Sequence, residues 1–510
     1  MDPLAWQAAG PGRWERDLDE AEQFYTSLAK AYEGCGRTFF AMTGFISLAV
    51  AVPGDTSRQA MEHRVIDALR RAWVALRYDH PTIAARVEYD KDRVKCTKVY
   101  ETFLDGSRGP QLQAWLDDTF RTVFSGQTGL EWCNSDPPVP RLPTLFLITS
   151  PSSEDRGAEV RWDLVLRSHH DILDGIGTLH LFNNLFSHAA RAYAQGPSYQ
   201  LPTFGSEWKN LSPSLREAAG IARTPTPEQR ARFDGIVAHN AALGNSAELV
   251  SVPFKRGAAM PGRHQRVSRT LSADRSSLRL LQACRDLGVT VTHAYHAAIA
   301  MCVRDLQERR EQERSVRYIN YCLMNLRSHC KEPFNTPKHA AAVYHSTSGR
   351  SLVIDLAVPA ATEAHGAEEE ALRRKEEFRK TVSEVKDFYH AIRNDPEHIP
   401  MVPLYWTLAI PPYPEDGSTP PVPGPNPSPS VSISSMGVID SIISPTNGPF
   451  ELANPWVAGE ELGTGLGLFL GTWRGQLSLS AAYNDAYHDK AGVLKFLKDC
   501  EDEVFQGLGI

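Results

Sequence analysis

Ser168-His169-His170-Asp171-Ile172-Leu173-Asp174-Gly175-Ile176-Gly177 joins two segments of different hydrophobic period. Just before it, Val160, Trp162, Leu164 and Leu166 alternate with Arg161, Asp163 and Arg167. That period of two is the pattern of a strand with two unlike faces. Just after it, Ile176, Leu179, Phe182, Phe186, Ala189 and Tyr193 recur at helical spacing. The two histidines therefore sit on the turn between a strand and a helix. Asp174-Gly175 is read as a tight turn, with the glycine letting the backbone turn and approach a ligand.

Working outward, the alternation of strand and helix repeats on both sides. Toward the N-terminus, residues 17–33 are acidic and helical in pattern, and Phe39 to Val52 reads as a strand. Met61, Val65, Leu69, Ala72 and Leu76 then mark one apolar helix face. His80-Pro81 ends that helix, because proline disfavours helical backbone in the residue before it. Ile83–Tyr89 and Leu145–Thr149 read as strands. Toward the C-terminus, residues 196–235 are rich in Pro, Ser and Gly and read as an irregular connector. The pattern restarts with a strand near Arg266–Leu271, helices from about 273 and over Thr292–Glu308, and one strand from Ser315 to Leu326. A charged helix over 363–393 buries Phe378, Val382, Val385 and Tyr389. Pro411 to Ser430 is a low-complexity run expected to be an extended loop. Val431–Ile439 and Leu477–Tyr483 read as strands before a closing helix from Lys490. The expectation is an α/β (α+β) protein of two halves: 1–215 with the histidine motif, a connector at 216–265, and 266–510.

Bulk properties narrow the function classes. The 510 residues carry 42% hydrophobic and 23% charged side chains, ordinary values for a globular chain of two or three domains. The net charge of −7 is well mixed, which speaks against nucleic acid as a partner. No apolar run is long enough to span a membrane and no signal-peptide pattern opens the chain. The eight cysteines lack CxxC spacing, against both a zinc ribbon and a disulfide scaffold. A cytoplasmic monomer is expected. There is no P-loop and no GxSxG elbow, and Gly463-Thr464-Gly465-Leu466-Gly467 misses the dinucleotide spacing at Leu468.

The motif suits acyl transfer. Moving an acyl group from a thioester to an alcohol needs a base near neutral pH, and histidine has the right unperturbed pKa. A turn anchored by a strand holds such a base rigidly in a cleft. Asp174, four residues on, is placed to fix the loop by pairing with a distant arginine. A metal site is the rival reading, but His180 and His188 lie within the following helix and no cysteine or carboxylate cluster joins them. No metal is expected.

Residues 168–177 resemble the signature of the CoA-dependent acyltransferase superfamily, which includes BAHD acyltransferases, peptide-synthetase condensation domains and fungal trichothecene acetyltransferases. Glu207-Trp208-Lys209-Asn210-Leu211-Ser212-Pro213 and the C-terminal stretch Leu477 to Tyr487 resemble the trichothecene 15-O-acetyltransferase type. The Asp-Phe-Gly-Trp-Gly motif of the plant BAHD enzymes is missing. The resemblance implies two chloramphenicol-acetyltransferase-like subdomains with a tunnel between them. It implies His170 as general base, Asp174 as a structural carboxylate, and His169 as the less essential histidine. Met324-Asn325-Leu326-Arg327 is similar to the family's Asn/Asp-x-Arg stretch, which makes Arg327 the expected partner of Asp174. Ser432, Ser434 and Ser435 fall where relatives line the tunnel and bind the acyl donor. Acetyl-CoA is the implied donor, and a hydroxyl on a hydrophobic terpenoid or polyketide the implied small-molecule acceptor. Two other classes stay open: a condensation-type enzyme with a carrier-bound donor or a cyclising role, and a non-catalytic binder. The cluster Tyr483, Asn484, Asp485 and His488 is read as structural, because turns after strands favour Asn and Asp.

Overall fold

The computed structural model describes residues 2–106, 109–149, 159–257, 261–271, 276–362, 366–414 and 430–510. Most of the proline-rich run 411–430 lies outside the described residues, as do the expected helix starts at 273 and 363. Those helices are described as Leu278–Asp286 and Ala367–Arg393.

The histidine motif leaves the centre of a six-stranded sheet. Its order is Thr446–Asn447, Phe450–Gly459, Met42–Ala51, Glu159–Ser168, Thr144–Thr149, Phe120–Val123. Met42–Ala51 and Glu159–Ser168 run antiparallel over their full length, from Met42 opposite Ser168 to Ala51 opposite Glu159. The apolar stripes of helices Arg58–Asp79 and Gly175–Gln195 cover one face of this sheet. Leu179, Phe182, Leu185 and Phe186 are buried there, each gaining about 1.5–3 kcal/mol from leaving water, which locks the start of the helix. The other face is not open to solvent. Phe45, Phe146 and Val165 pack on Trp132, and Arg167 is buried against Glu460.

Phe450–Gly459 comes from the far end of the chain yet pairs with Met42–Ala51, with a register shift between Ala453 and Trp456. The C-terminal segment thereby completes the N-terminal sheet. The remaining C-terminal strands form a four-stranded sheet in the order His264–Thr270, Gln476–Asn484, Leu466–Trp473, Val431–Val438. A second sheet holds Leu352–Val358, Arg314–Asn320 and Glu248–Leu249. Helices Val291–Asp305, Ala367–Arg393 and Lys490–Leu508 supply the core between and around them.

Two local expectations differ from what forms. Ser315 to Leu326 is two strands, because Arg314–Asn320 pairs with Leu352–Val358 while Leu323–Asn325 turns away to pair with His345–Thr347. The stretch 196–235 is not all irregular: Pro227–Ala242 is a helix, started by a Thr226–Gln229 capping box with proline in the first turn.

Candidate active site

Asp174 organises the motif. It is the N-cap of helix Gly175–Gln195, and its Oδ1 accepts the Gly177 N–H at 2.7 Å. Its Oδ2 accepts Arg327 Nη1 at 2.8 Å and the Tyr344 N–H at 2.9 Å. Burial works against the Asp174 carboxylate, but Arg327 and then His345 outweigh it and hold the pKa below the usual value. Arg327 is itself buried, so the pair joins the two halves of the chain in a water-poor setting. Gly175 is not the turn residue the sequence suggests. It is the first residue of the helix and has no positive φ. A Cβ there would crowd Met436 Sδ at 3.2 Å and Val457 at 3.3 Å. Gly177 is tighter still, with the Ala340 carbonyl oxygen 2.2 Å from where a Cβ would sit.

His170 stands on the turn above this anchor. Its ring stacks on Tyr25, with centroids 3.8 Å apart and planes 11° from parallel. The Tyr25 hydroxyl lies 2.7 Å from His345 Nε2, and the His345 ring is 5.2 Å from that of His170. Nδ1 of His170 is the buried nitrogen, without a hydrogen bond. His170 as a whole lines the cavity in front of it. Burial, and then the neighbouring His345, push the His170 pKa down to about 3. The imidazole is neutral at pH 7 and can accept a proton.

A buried ion cluster supports the turn from behind. Glu22 accepts Arg16 at 2.5 Å and Lys98 at 2.7 Å. Lys98 also reaches the backbone carbonyl of Asp171 at 2.5 Å and its carboxylate at 3.4 Å. Burial would raise the Glu22 pKa, but Arg16 and Lys98 bring it to about 2. The cluster fixes helix Glu20–Glu33, which carries Tyr25, against the motif residue Asp171.

The cavity in front of His170 holds about 500 Å3 and is lined from both halves of the chain. Phe24, Phe40, Tyr405 and Trp406 form an aromatic wall, and Ser432, Ser434 and Ser435 lie on another. Ser435 Oγ accepts from Thr292 Oγ1 at 3.0 Å. Glu461 also faces this space; burial raises its carboxyl to about 7, against the opposing Gly463 N–H. Asn484 and His488 grip the backbone of that loop, at the Leu462 carbonyl (3.0 Å) and the Thr464 carbonyl (2.9 Å). His169 lines a different cavity, of about 450 Å3, together with Asp171 and Ile172. His188 is engaged with Asp79 at 2.8 Å, and among the described residues no group of three or more His, Cys, Asp or Glu is arranged to hold a metal.

The structure thus brings His170, Asp174, Gly175, Arg327 and the three serines to one cavity and puts His169 elsewhere. Tyr25, Lys98, His345, Trp406 and Glu461 are absent from the sequence reading. Only Glu22 had a local signal, as the partner of Asp19 in a capping box.

Residues 42–401 match the model of the family described as 15-O-acetyltransferase Tri3. The chain belongs to that family. The matched span holds the central strand, the histidine motif and Arg327, while the serine wall lies beyond it. Among curated proteins the chain is similar to acetyltransferase pigO of Monascus ruber, 25% identical over 99% of each chain. Among solved structures it is similar to TRI3 trichothecene 15-O-acetyltransferase from Fusarium sporotrichioides, at TM-score 0.75 and 17% identity, covering 100% of this chain and 99% of that one. The condensation domain of the Monacolin K polyketide synthase MokA shares the fold at TM-score 0.57 and 12% identity, over 98% of both chains. The Tri3 family fold is thus the mixed α/β fold of condensation domains. No described helix is long and apolar enough to cross a membrane.

Proposed function

We propose that the protein is an acetyl-CoA-dependent O-acetyltransferase acting on a hydroxyl of a hydrophobic secondary metabolite, with His170 as general base. One observation carries this reading. A histidine whose burial keeps it neutral lines one cavity together with aromatic side chains and the hydroxyls of Ser432, Ser434 and Ser435. The relatives' names, an acetyltransferase and a trichothecene 15-O-acetyltransferase, support the acetyl group and the acceptor class.

In the reaction, Nε2 of His170 takes the proton of the acceptor hydroxyl as its oxygen attacks the thioester carbonyl. The C–O bond forms and an oxyanion develops. A serine hydroxyl from the 432–435 wall donates to it. Collapse breaks the C–S bond, and His170 returns its proton to the CoA thiolate. No acyl-enzyme is needed, because one cavity holds both reactants. A base with so low a pKa is weak in the empty cavity. The developing oxyanion supplies the negative charge that lets the imidazolium form in the transition state. Asp174 does not touch substrate; paired with Arg327, it holds the turn.

The test is incubation of the full chain with acetyl-CoA and a panel of terpenoid and polyketide alcohols, with product analysis by mass spectrometry. Acetyl ester formation from free acetyl-CoA is expected. Ester formed only from an acyl-carrier protein would favour the condensation-type reading instead, and no ester from either donor would remove the acyl-transfer reading.

A further inference from the structure

Six arginines among the described residues are buried to nine-tenths or more. Arg16, Arg167, Arg304 and Arg327 each face a carboxylate. Arg77 donates to the Glu101 carbonyl and is enclosed by Phe103 and Trp115. Arg266 differs. Among the described residues it has no ion pair, and its guanidinium carbon lies 4.0 Å above the Trp456 ring. A buried cation without a counter-ion costs free energy unless a ligand completes it.

The surroundings of Arg266 indicate that ligand. Arg266 lines a cavity of about 410 Å3 with Ser268 and Thr270 of its own strand. Ser480 and Ser478 of the next strand lie opposite these two and face the same way. The one carboxylate on the cavity wall, Asp163, already accepts the Ser47 hydroxyl at 2.6 Å and the Gly129 N–H at 2.8 Å. Burial, and then Arg167, Arg266 and Arg37, lower the pKa of neighbouring His264; of these arginines, Arg37 and Arg167 have carboxylate partners in Asp136 and Glu460, which leaves Arg266 as the unpaired cation among the described residues. A cation beside a row of hydroxyls suits a phosphate oxyanion. This cavity also shares Met436 and Phe469 with the His170 cavity. The Arg266 cavity and the His170 cavity therefore adjoin at those two side chains.

We propose that the Arg266 cavity is the subsite for a phosphate of the acyl donor, with Arg266 as its cation and Ser268, Ser478 and Ser480 as hydrogen-bond donors. This rests on the acyl-transfer reading above. The phosphate is either one at the nucleotide end of CoA or the phosphopantetheine phosphate that CoA shares with carrier-bound donors.

Binding is measured by calorimetry on the full chain, without turnover, using CoA, 4′-phosphopantetheine and pantetheine. Arg266→Gln weakens CoA binding by about 10- to 100-fold, the usual worth of a charge-assisted contact, and leaves pantetheine unchanged. Arg266→Lys restores part of the loss. Equal weakening of phosphopantetheine assigns the pantetheine-side phosphate; weakening of CoA alone assigns the nucleotide end. Should Arg266→Gln fail to fold, Ser268→Asp at the exposed rim gives the same discrimination by repulsion. Wild-type CoA affinity in both Arg266→Gln and Ser268→Asp, or an equal loss for pantetheine, overturns the subsite and leaves the acyl-transfer reading standing. A wild-type protein that binds none of the three ligands overturns both.

Discussion

Asp174→Asn separates holding the site from doing its chemistry. The amide keeps the helix cap, since Asn and Asp are equivalent N-caps. What it removes is the negative charge 2.8 Å from Arg327 Nη1. Among the described residues Arg327 already has Nε and Nη2 without hydrogen-bond partners, and its other side-chain hydrogen bond, to Asn325 Oδ1, is 3.5 Å long. The variant therefore strands a buried guanidinium, and removing one member of a buried pair costs about 3–5 kcal/mol. Urea unfolding followed by tryptophan fluorescence reads this as a lower midpoint. The double variant Asp174→Asn/Arg327→Met removes both charges, so it is expected to be more stable than the sum of the single losses by about 2 kcal/mol or more. The difference between wild type and Asp174→Asn also has a pH signature. The carboxyl pKa is held below its ordinary value, so its contribution is fully present above the unfolded pKa of about 3.9 and is lost as pH falls through the folded value. An Asp174→Asn stability within about 0.5 kcal/mol of wild type, below the range for any broken buried pair, would show that the pair does not anchor the turn. So would strict additivity in the double variant.

Other predictions concern the base and its supports. Burial and His345 lower the His170 pKa to about 3, so the neutral base persists far into acid. The acid limb of kcat/KM is expected below about pH 5, and a half-drop near the ordinary histidine value of about 6.5 would contradict it. Tyr25→Ala removes the stacking partner of His170 and is expected to lower kcat about tenfold, the kinetic equivalent of a lost aromatic pair. Tyr25→Phe, which keeps the ring, should lie much nearer wild type, and equal effects would sink the stacking role. Gly177→Ala drives a Cβ into the Ala340 carbonyl and should cost about 1–3 kcal/mol or more in thermal unfolding; a wild-type melting temperature would show that the contact yields freely.

The strand, turn and helix around His170 were legible because each has its own period, and a residue four positions past a histidine on such a turn falls at the helix cap. The Asp174–Arg327 contact was legible only through the family motif, since 153 residues separate the two. Tyr25, Lys98 and His345 were not legible. Each lies in an ordinary helix or strand, and long-range topology alone brings it to the motif. Strand Phe450–Gly459 was missed because Asn454-Pro455 interrupts its alternation where the register shifts. Helix Pro227–Ala242 was missed because Phe233 is its one buried residue, which leaves no apolar stripe to read. The grouping of Tyr483, Asn484, Asp485 and His488 does serve structure, in that Asn484 and His488 hold the loop carrying Glu461.

A base at His170 in acyl transfer from CoA must show itself in thiol release. The most direct measurement is free-thiol release from acetyl-CoA with an accepted alcohol, comparing wild type with His170→Ala at matched folded concentration. Alcohol-dependent release is expected in the wild type and falls by a factor of about 100 or more in the variant, the usual contribution of a positioned general base. Release that continues at the wild-type rate without the imidazole would contradict it.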